Sequence, residues 1–283
     1  MSASPSLAGD PRAALDAIGQ LPDPEIDIAD AALQLARVDL PRADWVAARA
    51  ELTDIAREAV DLARKLGRNA DLDVRAEALA GLLVGRHGYR GDVRTYDDPA
   101  NANLLAVIER RKGLPVALGV LWLHAARAAG WAAHGVDFPA HFLFALEGRS
   151  SQLVLDVFDG GTPLQARDLR SLLKRIEGEQ AELRPGLLRP VDVRAVLLRL
   201  QNNIKSRRLA AGDLAGAVTC AEDMLRIAPD HAGLWREAGL IHQRLGQVQA
   251  ALRCLERFLD LAPQGDAAMR ARAAMEELRT RLN

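Results

Sequence analysis

GVDFPAHF at residues 135–142 and LDVFDGG at residues 155–161 lie where the hydrophobic pattern of the chain changes from helical to extended. Four of the five phenylalanines lie in this part of the chain, and aromatic side chains favour the pleated surface of a sheet. The pattern predicts three short strands, over residues 133–136, 141–146 and 153–157. The sequence therefore predicts a small sheet inside a largely helical protein.

Helical periodicity fills the chain on both sides of this sheet. Upstream, the spacing of apolar residues predicts helices over residues 26–36, 45–66 and 74–85. Asp44 is predicted to cap the start of the second helix, and Gly67 is predicted to end it. The aperiodic segment 89–103 is rich in Gly, Pro, Asp and Asn, which predicts a loop. Pro115 then predicts the start of a helix, because proline is favoured at the first helical position.

A repeat occupies the helical C-terminal part of the chain, from about residue 189. Six positions recur at an offset of 34 residues, which is the period of the tetratricopeptide unit of two helices. The matched residues are Gly212, Ala217, Cys220, Leu225, Ala228 and Pro229, followed by Gly246, Ala251, Cys254, Leu259, Ala262 and Pro263. The first copy is degenerate, because Gln201 and Lys205 stand where the second copy has Trp235 and Gly239. Residues 269–282 are predicted to form a capping helix.

Two further stretches, DPAN at residues 98–101 and IERRKGLP at residues 108–115, precede the strands. With these motifs in this order, the chain resembles the bacterial SirB family from about residue 28 to the C-terminus. The resemblance implies an α+β transglutaminase-like (papain-like) core with an N-terminal helical layer, followed by all-α tetratricopeptide-type hairpins. We therefore expect a disordered leader over residues 1–10, a transglutaminase-like domain over 11–184, and repeats with a capping helix over 185–283.

The resemblance also implies where a Cys–His–Asp site would lie. Catalytic relatives place a Cys at the start of a helix, where the helix N-terminus and an imidazole lower the pKa of the thiol. The match puts Pro115 at the nucleophile position, with His141 and Asp156 at the other two positions. Because proline has no nucleophilic atom, we expect a degenerate triad without cysteine-dependent acyl transfer. The two cysteines, Cys220 and Cys254, recur in the repeat and are interpreted as packing residues.

His141 and Asp156 allow two interpretations. They could form a purely structural hydrogen-bonded pair, or they could belong to a binding pocket with Asn101, Glu109 and Arg110 at its rim. The leading hypothesis is a non-catalytic scaffold or regulator that binds a protein or peptide, through the repeats or through the former active-site cleft. The alternative is a cysteine-independent hydrolase or transferase that uses His141 and Asp156.

Composition argues against several other classes. The formal net charge is −1 and the pI is about 6.6, so we expect no general attraction to nucleic acid. The segment from residue 184 to residue 208 contains seven basic residues and one acidic residue, but the spacing of the basic residues distributes them around a helix. The six histidines show no ligand spacing and no phosphate-binding motif occurs, so we expect neither a metal nor a cofactor. No apolar run is long enough to span a membrane, and the first residues do not resemble a secretory signal. We therefore expect a cytoplasmic protein.

Overall fold

The structure, a computed structural model, describes residues 9–184 and 186–280. The chain divides into two compact units. The core unit is Pro22–Leu200, and the tail unit joins the residues up to Leu21 to those from Gln201 onward. The core unit combines helices with a five-stranded antiparallel sheet, and the tail unit is helical. The predicted fold class, an α+β core followed by a helical tail, is confirmed.

The core unit contains the helices α2 (Ile28–Asp39), α3 (Trp45–Leu66), α4 (Leu72–Ala80), α5 (Leu104–Arg110), α6 (Pro115–Ala128) and α7 (Ala166–Glu177). α2, α3 and α4 pack on the central helix α6, whereas α7 packs on the opposite face of the sheet. A π-helical turn, Gly81–Arg86, follows α4, and a 3-10 turn, Pro99–Ala102, precedes α5. α6 is buried on almost every side, because its sequence is apolar around the whole helix. α8 (Val193–Ala210) spans the division between the two units.

The sheet of the core unit has the strand order β6-β5-β4-β3-β7. Its strands are β3 (Ala133–Phe138), β4 (His141–Glu147), β5 (Gln152–Asp156), β6 (Thr162–Pro163) and β7 (Pro190–Val191). A separate parallel pair joins β1 (Arg90–Gly91) to β2 (Lys112–Gly113), so the predicted loop over residues 89–103 contains a strand and a 3-10 turn. Strands of two residues are too short to produce a hydrophobic alternation in the sequence.

Local capping chemistry sets the bounds of α3. The Asp44 side chain accepts a hydrogen bond from the backbone N–H of Ala47 at 3.0 Å, which satisfies one of the free donors at the helix start. Gly67 follows the last residue with φ of 76°, a conformation that glycine adopts without steric cost. Both ends of this helix are therefore where the sequence predicted them.

One aromatic ring of the sheet lies in close contact with the central helix. The ring of Phe142, in β4, lies between Gly119 of α6 and Gly135 of β3. A Cβ at Gly119 would lie 2.1 Å from this ring, and one at Gly135 would lie 2.7 Å from it. Because both glycines lack a side chain, the helix can approach the strands closely, and the position of α6 over β4 is fixed.

Gly119→Ala is expected to lower the free energy of unfolding by about 1–3 kcal/mol, because the added methyl group displaces a buried ring. Gly81→Ala is a matched control, since Gly81 has φ of −58° and an added Cβ would meet no described atom within 4 Å. That control should be neutral, or stabilising by up to about 1 kcal/mol through helix propensity. Urea unfolding of both variants measures the difference, and equal midpoints would contradict the packing argument.

The tail unit contains the predicted repeats. Its helices are α1 (Pro11–Gly19), the end of α8, α9 (Leu214–Ile227), α10 (Ala232–Arg244), α11 (Val248–Leu261) and α12 (Asp266–Thr280). Two helical pairs, α8 with α9 and α10 with α11, correspond to the two copies, and α12 packs on α11. Ala217 and Ala251 are both fully buried at equivalent positions.

α1 belongs to this tail unit, whereas the sequence grouped residues 11–184 together. Its Leu15 and Ile18 are buried, and its charged residues form ion pairs with α9. Asp10 caps α1 by accepting a hydrogen bond from the backbone of Arg12, and residues 1–8 of the expected leader lie outside the described residues. The contact-based boundary between the units lies after Leu200, and the domain bounds expected from the sequence stay a prediction.

The degenerate first copy of the repeat compensates for its unusual lysine. In the second copy, a Cβ at Gly239 would lie 3.0 Å from Leu255. In the first copy, Lys205 stands in place of this glycine and Ala221 stands in place of this leucine. A larger side chain at one position is therefore matched by a smaller one at the other. Lys205 is 1 % exposed, and its ammonium bonds to the carboxylate of Glu237 in α10. The pair of exchanges keeps the packed volume similar while it buries a charge.

Candidate functional site

His141 and Asp156 lie together at one end of the sheet. His141 is the first residue of β4, Asp156 is the last of β5, and the imidazole Nε2 lies 3.0 Å from Asp156 Oδ2. The other carboxylate oxygen, Oδ1, accepts hydrogen bonds from the backbone N–H groups of Phe158, at 3.0 Å, and Asp159, at 3.3 Å. Asp156 thus connects β4 to the turn that follows β5. The expected contact is present, and its role stays a prediction.

Pro115 is the first residue of α6 and is buried. Leu114 precedes it in extended conformation, and the backbone N–H of Leu114 donates to the carbonyl of Asn101 at 2.9 Å. Because the first helical residue has no intrahelical partner for an N–H group, proline costs no hydrogen bond here. The local structure therefore explains this proline fully without a catalytic role.

Strand alternation separates α6 from the imidazole. Phe142 and Phe144 of β4 face α6, since Phe142 contacts Gly119 and the ring of Phe144 lies 5.6 Å from that of Trp122. Side chains alternate between the faces of a strand, and His141 pairs across the hairpin with Phe138. Phe138 packs with Leu169 and Leu173 of α7 in a hydrophobic cluster on the face of the sheet opposite to α6. Phe142 contacts α6 at Gly119, and strand alternation directs the side chain of His141 toward the opposite face of the sheet.

Asn101 and Arg110 lie in a second cluster, centred on a buried carboxylate. Asp92 is 2 % exposed, and its carboxylate accepts from the side chain of Thr95 at 2.6 Å and from Arg110 at 3.1 Å. The hydrogen bonds from Thr95 lower the pKa of Asp92 to about 2. Asn101 is fully buried, and its side chain donates to the carbonyl of Thr95 at 2.6 Å, so it lies inside this cluster and not at a rim. Glu109 is exposed.

Phe158 connects the two clusters. Its ring meets the ring of Tyr96 edge to face, with centroids 5.7 Å apart, and it lies so close to Gly91 that a Cβ there would be 2.6 Å away. The segment over residues 89–103 therefore packs on the turn that Asp156 anchors. The structure brings together His141 with Asp156, and Asn101 with Arg110, as two neighbouring pairs.

A third polar cluster was not predicted from the sequence. Glu51 of α3 accepts from the side chain of Arg111, from His87 at 2.8 Å and from the Tyr89 hydroxyl at 3.3 Å. The second ring nitrogen of His87 lies 3.2 Å from Glu58. These residues come from three separate stretches of the chain and share no motif, so only the fold brings the stretches together. The hydrogen bond from Arg111, together with that from His87, lowers the pKa of Glu51 to about 2.

Glu51→Gln is expected to flatten the acid side of the stability profile. Because the folded-state pKa of Glu51 is about 2 and its usual value is 4.5, the carboxylate stabilises the fold fully above about pH 4.5. This contribution is lost as the pH falls from about 4.5 to about 2. The variant should therefore be less stable at pH 7 and lose less stability over that range. Urea unfolding across pH measures this, with exposed Glu77→Gln as control, and parallel profiles would contradict the argument.

Among the described residues, no group of three or more His, Cys, Asp or Glu side chains is arranged to hold a metal ion. None of the described helices is long and apolar enough to cross a membrane.

Comparison with known proteins assigns the two parts of the chain. A family model described as the transglutaminase-like superfamily matches residues 46–202. The chain belongs to the transglutaminase-like superfamily. A tetratricopeptide repeat model matches residues 204–276. In this family, the chain is 35% identical over 193 residues to a UPF0162 protein of Xylella fastidiosa, covering 67% of this chain and 69% of that protein.

Two further relatives extend the match. A UPF0162 protein of Vibrio cholerae is 30% identical to the chain over 259 residues. The match covers 91% of this chain and 92% of the Vibrio protein. Protein SirB1 of Salmonella typhimurium is 25% identical over 207 residues, covering 73% of this chain and 77% of its own. The predicted resemblance to the SirB family is confirmed. A solved structure of menin aligns with 88% of this chain and 70% of the menin chain, with a TM-score of 0.43 at 10% identity. This likeness is too weak to support a shared function.

Proposed function

We propose that this chain is a non-catalytic transglutaminase-like protein with tetratricopeptide repeats, and that it acts as a scaffold or regulator by binding a protein or peptide. The observation that carries the proposal is the buried Pro115 at the start of α6, where catalytic relatives place the nucleophile. Tetratricopeptide repeats generally mediate contacts between proteins, which supports a partner of this class.

The cysteines of the chain do not replace the missing nucleophile in this proposal. The sequence has two cysteines, and both belong to the tail unit: Cys220 is 1 % exposed and Cys254 is 7 % exposed. Burial, with the neighbouring charge of Glu222, raises the pKa of Cys254 to about 11, so its thiol stays protonated at neutral pH. Two free, buried thiols also support the cytoplasm as the compartment, because its thiols are kept reduced.

Protein is a better-supported partner than nucleic acid. Several basic side chains of the segment from residue 184 to residue 208 form ion pairs with carboxylates of their own unit. Arg199 pairs with Asp137, and Lys205 pairs with Glu237. A cation that is neutralised by the protein contributes little to the attraction of a phosphate backbone. The basic segment is therefore better explained by the internal structure of the two units.

A cysteine-independent hydrolase or transferase is the second candidate. It is favoured by the exposure of the His141 side chain, 15 %, which leaves the imidazole accessible to water while Asp156 holds its Nε2. In such an enzyme His141 would act as a general base through Nδ1. In the scaffold the same pair only ties β4 to the turn after β5.

Pro115→Cys separates the two candidates. In the scaffold, we expect the new thiol to react with iodoacetamide no faster than an ordinary thiol, and His141→Ala to leave that rate unchanged, because position 115 is buried and Phe142 faces α6. A rate about tenfold above that of an ordinary thiol, lost on adding His141→Ala, would contradict this geometry and indicate a working thiol–imidazole pair. In parallel, peptide hydrolysis or transamidation by the unmodified chain that disappears in His141→Ala would establish the enzyme.

A further inference from the structure

The repeat places two equivalent helices in the tail unit, and their outer faces differ. Residues of α9 correspond to residues of α11 at the offset of 34 residues, so Asp223 corresponds to Arg257 and Ile227 to Leu261. Asp223 is 2 % exposed and Ile227 is fully buried. The Arg257 side chain is 42 % exposed, and Leu261 is half-buried. The same face is covered in the first copy and open in the second.

α1 is the helix that covers the face of α9. Arg12 lies 3.0 Å from Asp223, and Arg226 bonds to both carboxylate oxygens of Asp16 at 2.8 Å. The backbones approach closely at Gly19, where a Cβ would lie 2.0 Å from the carbonyl oxygen of Arg226. Residue numbers rise in the same direction along both helices, so α1 lies parallel to α9.

A groove of about 830 Å³ lies along the open face of α11, and residues of α9 and Asp16 of α1 line its other side. Ala250, Arg253, Cys254 and Arg257 of α11 lie along it at the spacing of one helix face, and Trp235 of α10 is among its other lining residues. Within the part of the chain that the structure describes, Arg257 forms an ion pair with Asp230 at 3.2 Å, and that carboxylate is 81 % exposed. Such a surface pair is weak and can be exchanged for another carboxylate.

The charges on the two faces are reversed. Asp223 and Arg226 of α9 correspond to Arg257 and Asp260 of α11. A helix with the charges of α1 would bring its Arg12 toward Arg257, and like charges in contact are unfavourable. A helix with an acidic residue in place of Arg12 and a basic residue four positions later would be complementary in charge to Arg257 and Asp260. The exposed Arg253, which corresponds to Thr219, adds a further cation to the groove.

We propose that the open face of α11 binds one amphipathic helix of a partner protein, parallel to α11, with an acidic residue one turn before a basic residue. This proposal rests on the proposed function, since it names the chemistry of the protein partner. The partner helix would repeat, with opposite charges, the packing of α1 on α9. Charge reversal between the two faces keeps α1 on its own site and admits a helix of the other pattern.

The test uses the full chain and two peptides with the sequence of residues 10–21, labelled with fluorescein. One keeps the natural charges, and the other carries Arg12→Glu and Asp16→Arg. Both are held helical by a bridge between positions 13 and 17, which are exposed in α1. By fluorescence anisotropy, we expect the charge-reversed peptide to bind at least about tenfold more tightly than the natural one, with the difference reduced by salt.

The decisive variant is the double exchange Arg257→Asp with Asp260→Arg, which should invert the preference between the two peptides. Arg270→Asp on α12, also an exposed arginine, is the control and should leave the preference unchanged. Absence of binding by both peptides at about 1 mM, or a preference that the double exchange does not invert, would overturn the proposal. The proposed function fails on a different result, namely catalysis that depends on His141, so the two failures are distinguishable.

Discussion

Glu237→Ala is expected to lower the free energy of unfolding by about 3 kcal/mol, because it leaves the ammonium of Lys205 buried without a counter-charge. In the unmodified chain Lys205 is 1 % exposed and the Glu237 side chain is 36 % exposed, so the ammonium depends on this carboxylate and not on water. Glu276→Ala on α12 removes a carboxylate that is 80 % exposed, and it should change stability by less than about 0.5 kcal/mol. Urea unfolding of the full chain measures both.

The double variant Lys205→Met with Glu237→Leu separates burial of charge from packing. Replacing a buried ion pair by apolar side chains of similar volume is often neutral or stabilising, so this variant should regain most of the lost stability. A double variant as unstable as Glu237→Ala would contradict the view that the unpaired charge causes the loss. It would indicate instead that the two side chains fix the spacing between α8 and α10.

Local chemistry was readable from the sequence, and long-range packing was not. The ends of α3 follow from Asp44 and Gly67, which act on their own neighbours. The repeat follows from its period, because equivalent residues recur at one offset. The place of α1 could not be predicted, since its partners Asp223 and Arg226 lie about two hundred residues away and form no pattern with it.

The candidate site shows the same division. The order of motifs in the family placed His141 and Asp156 on neighbouring strands, and they are hydrogen-bonded. The positions of Asn101 and Arg110 depend on the buried carboxylate of Asp92, which lies in a segment without periodicity. The cluster around Glu51 joins three separate stretches of the chain, so no local motif could have indicated it.

Asp156→Ala is expected to lower the free energy of unfolding by about 2–4 kcal/mol if the His141–Asp156 pair is structural. The substitution leaves the backbone N–H groups of Phe158 and Asp159 and the imidazole of His141 without their acceptor. An unsatisfied group at a partly buried position costs about 1 kcal/mol or more, which applies to the imidazole and to the N–H of Phe158, whereas water can reach the exposed N–H of Asp159. His141→Ala removes only one of these bonds and should cost about 1 kcal/mol. The two variants should therefore differ clearly in stability.

Asp159→Ala, in the same turn, is the matched control for Asp156→Ala. It keeps the backbone N–H bond to Asp156 and loses only the contact of its exposed carboxylate with Thr162, so it should cost less than about 1 kcal/mol. Thermal or urea unfolding of the three variants gives the ranking. If Asp156→Ala were as stable as the unmodified chain, the carboxylate would not be tying the strands together. The second candidate function, in which Asp156 orients His141 for catalysis, would then explain the pair better than the scaffold does, because catalytic sites keep polar groups that contribute little to stability.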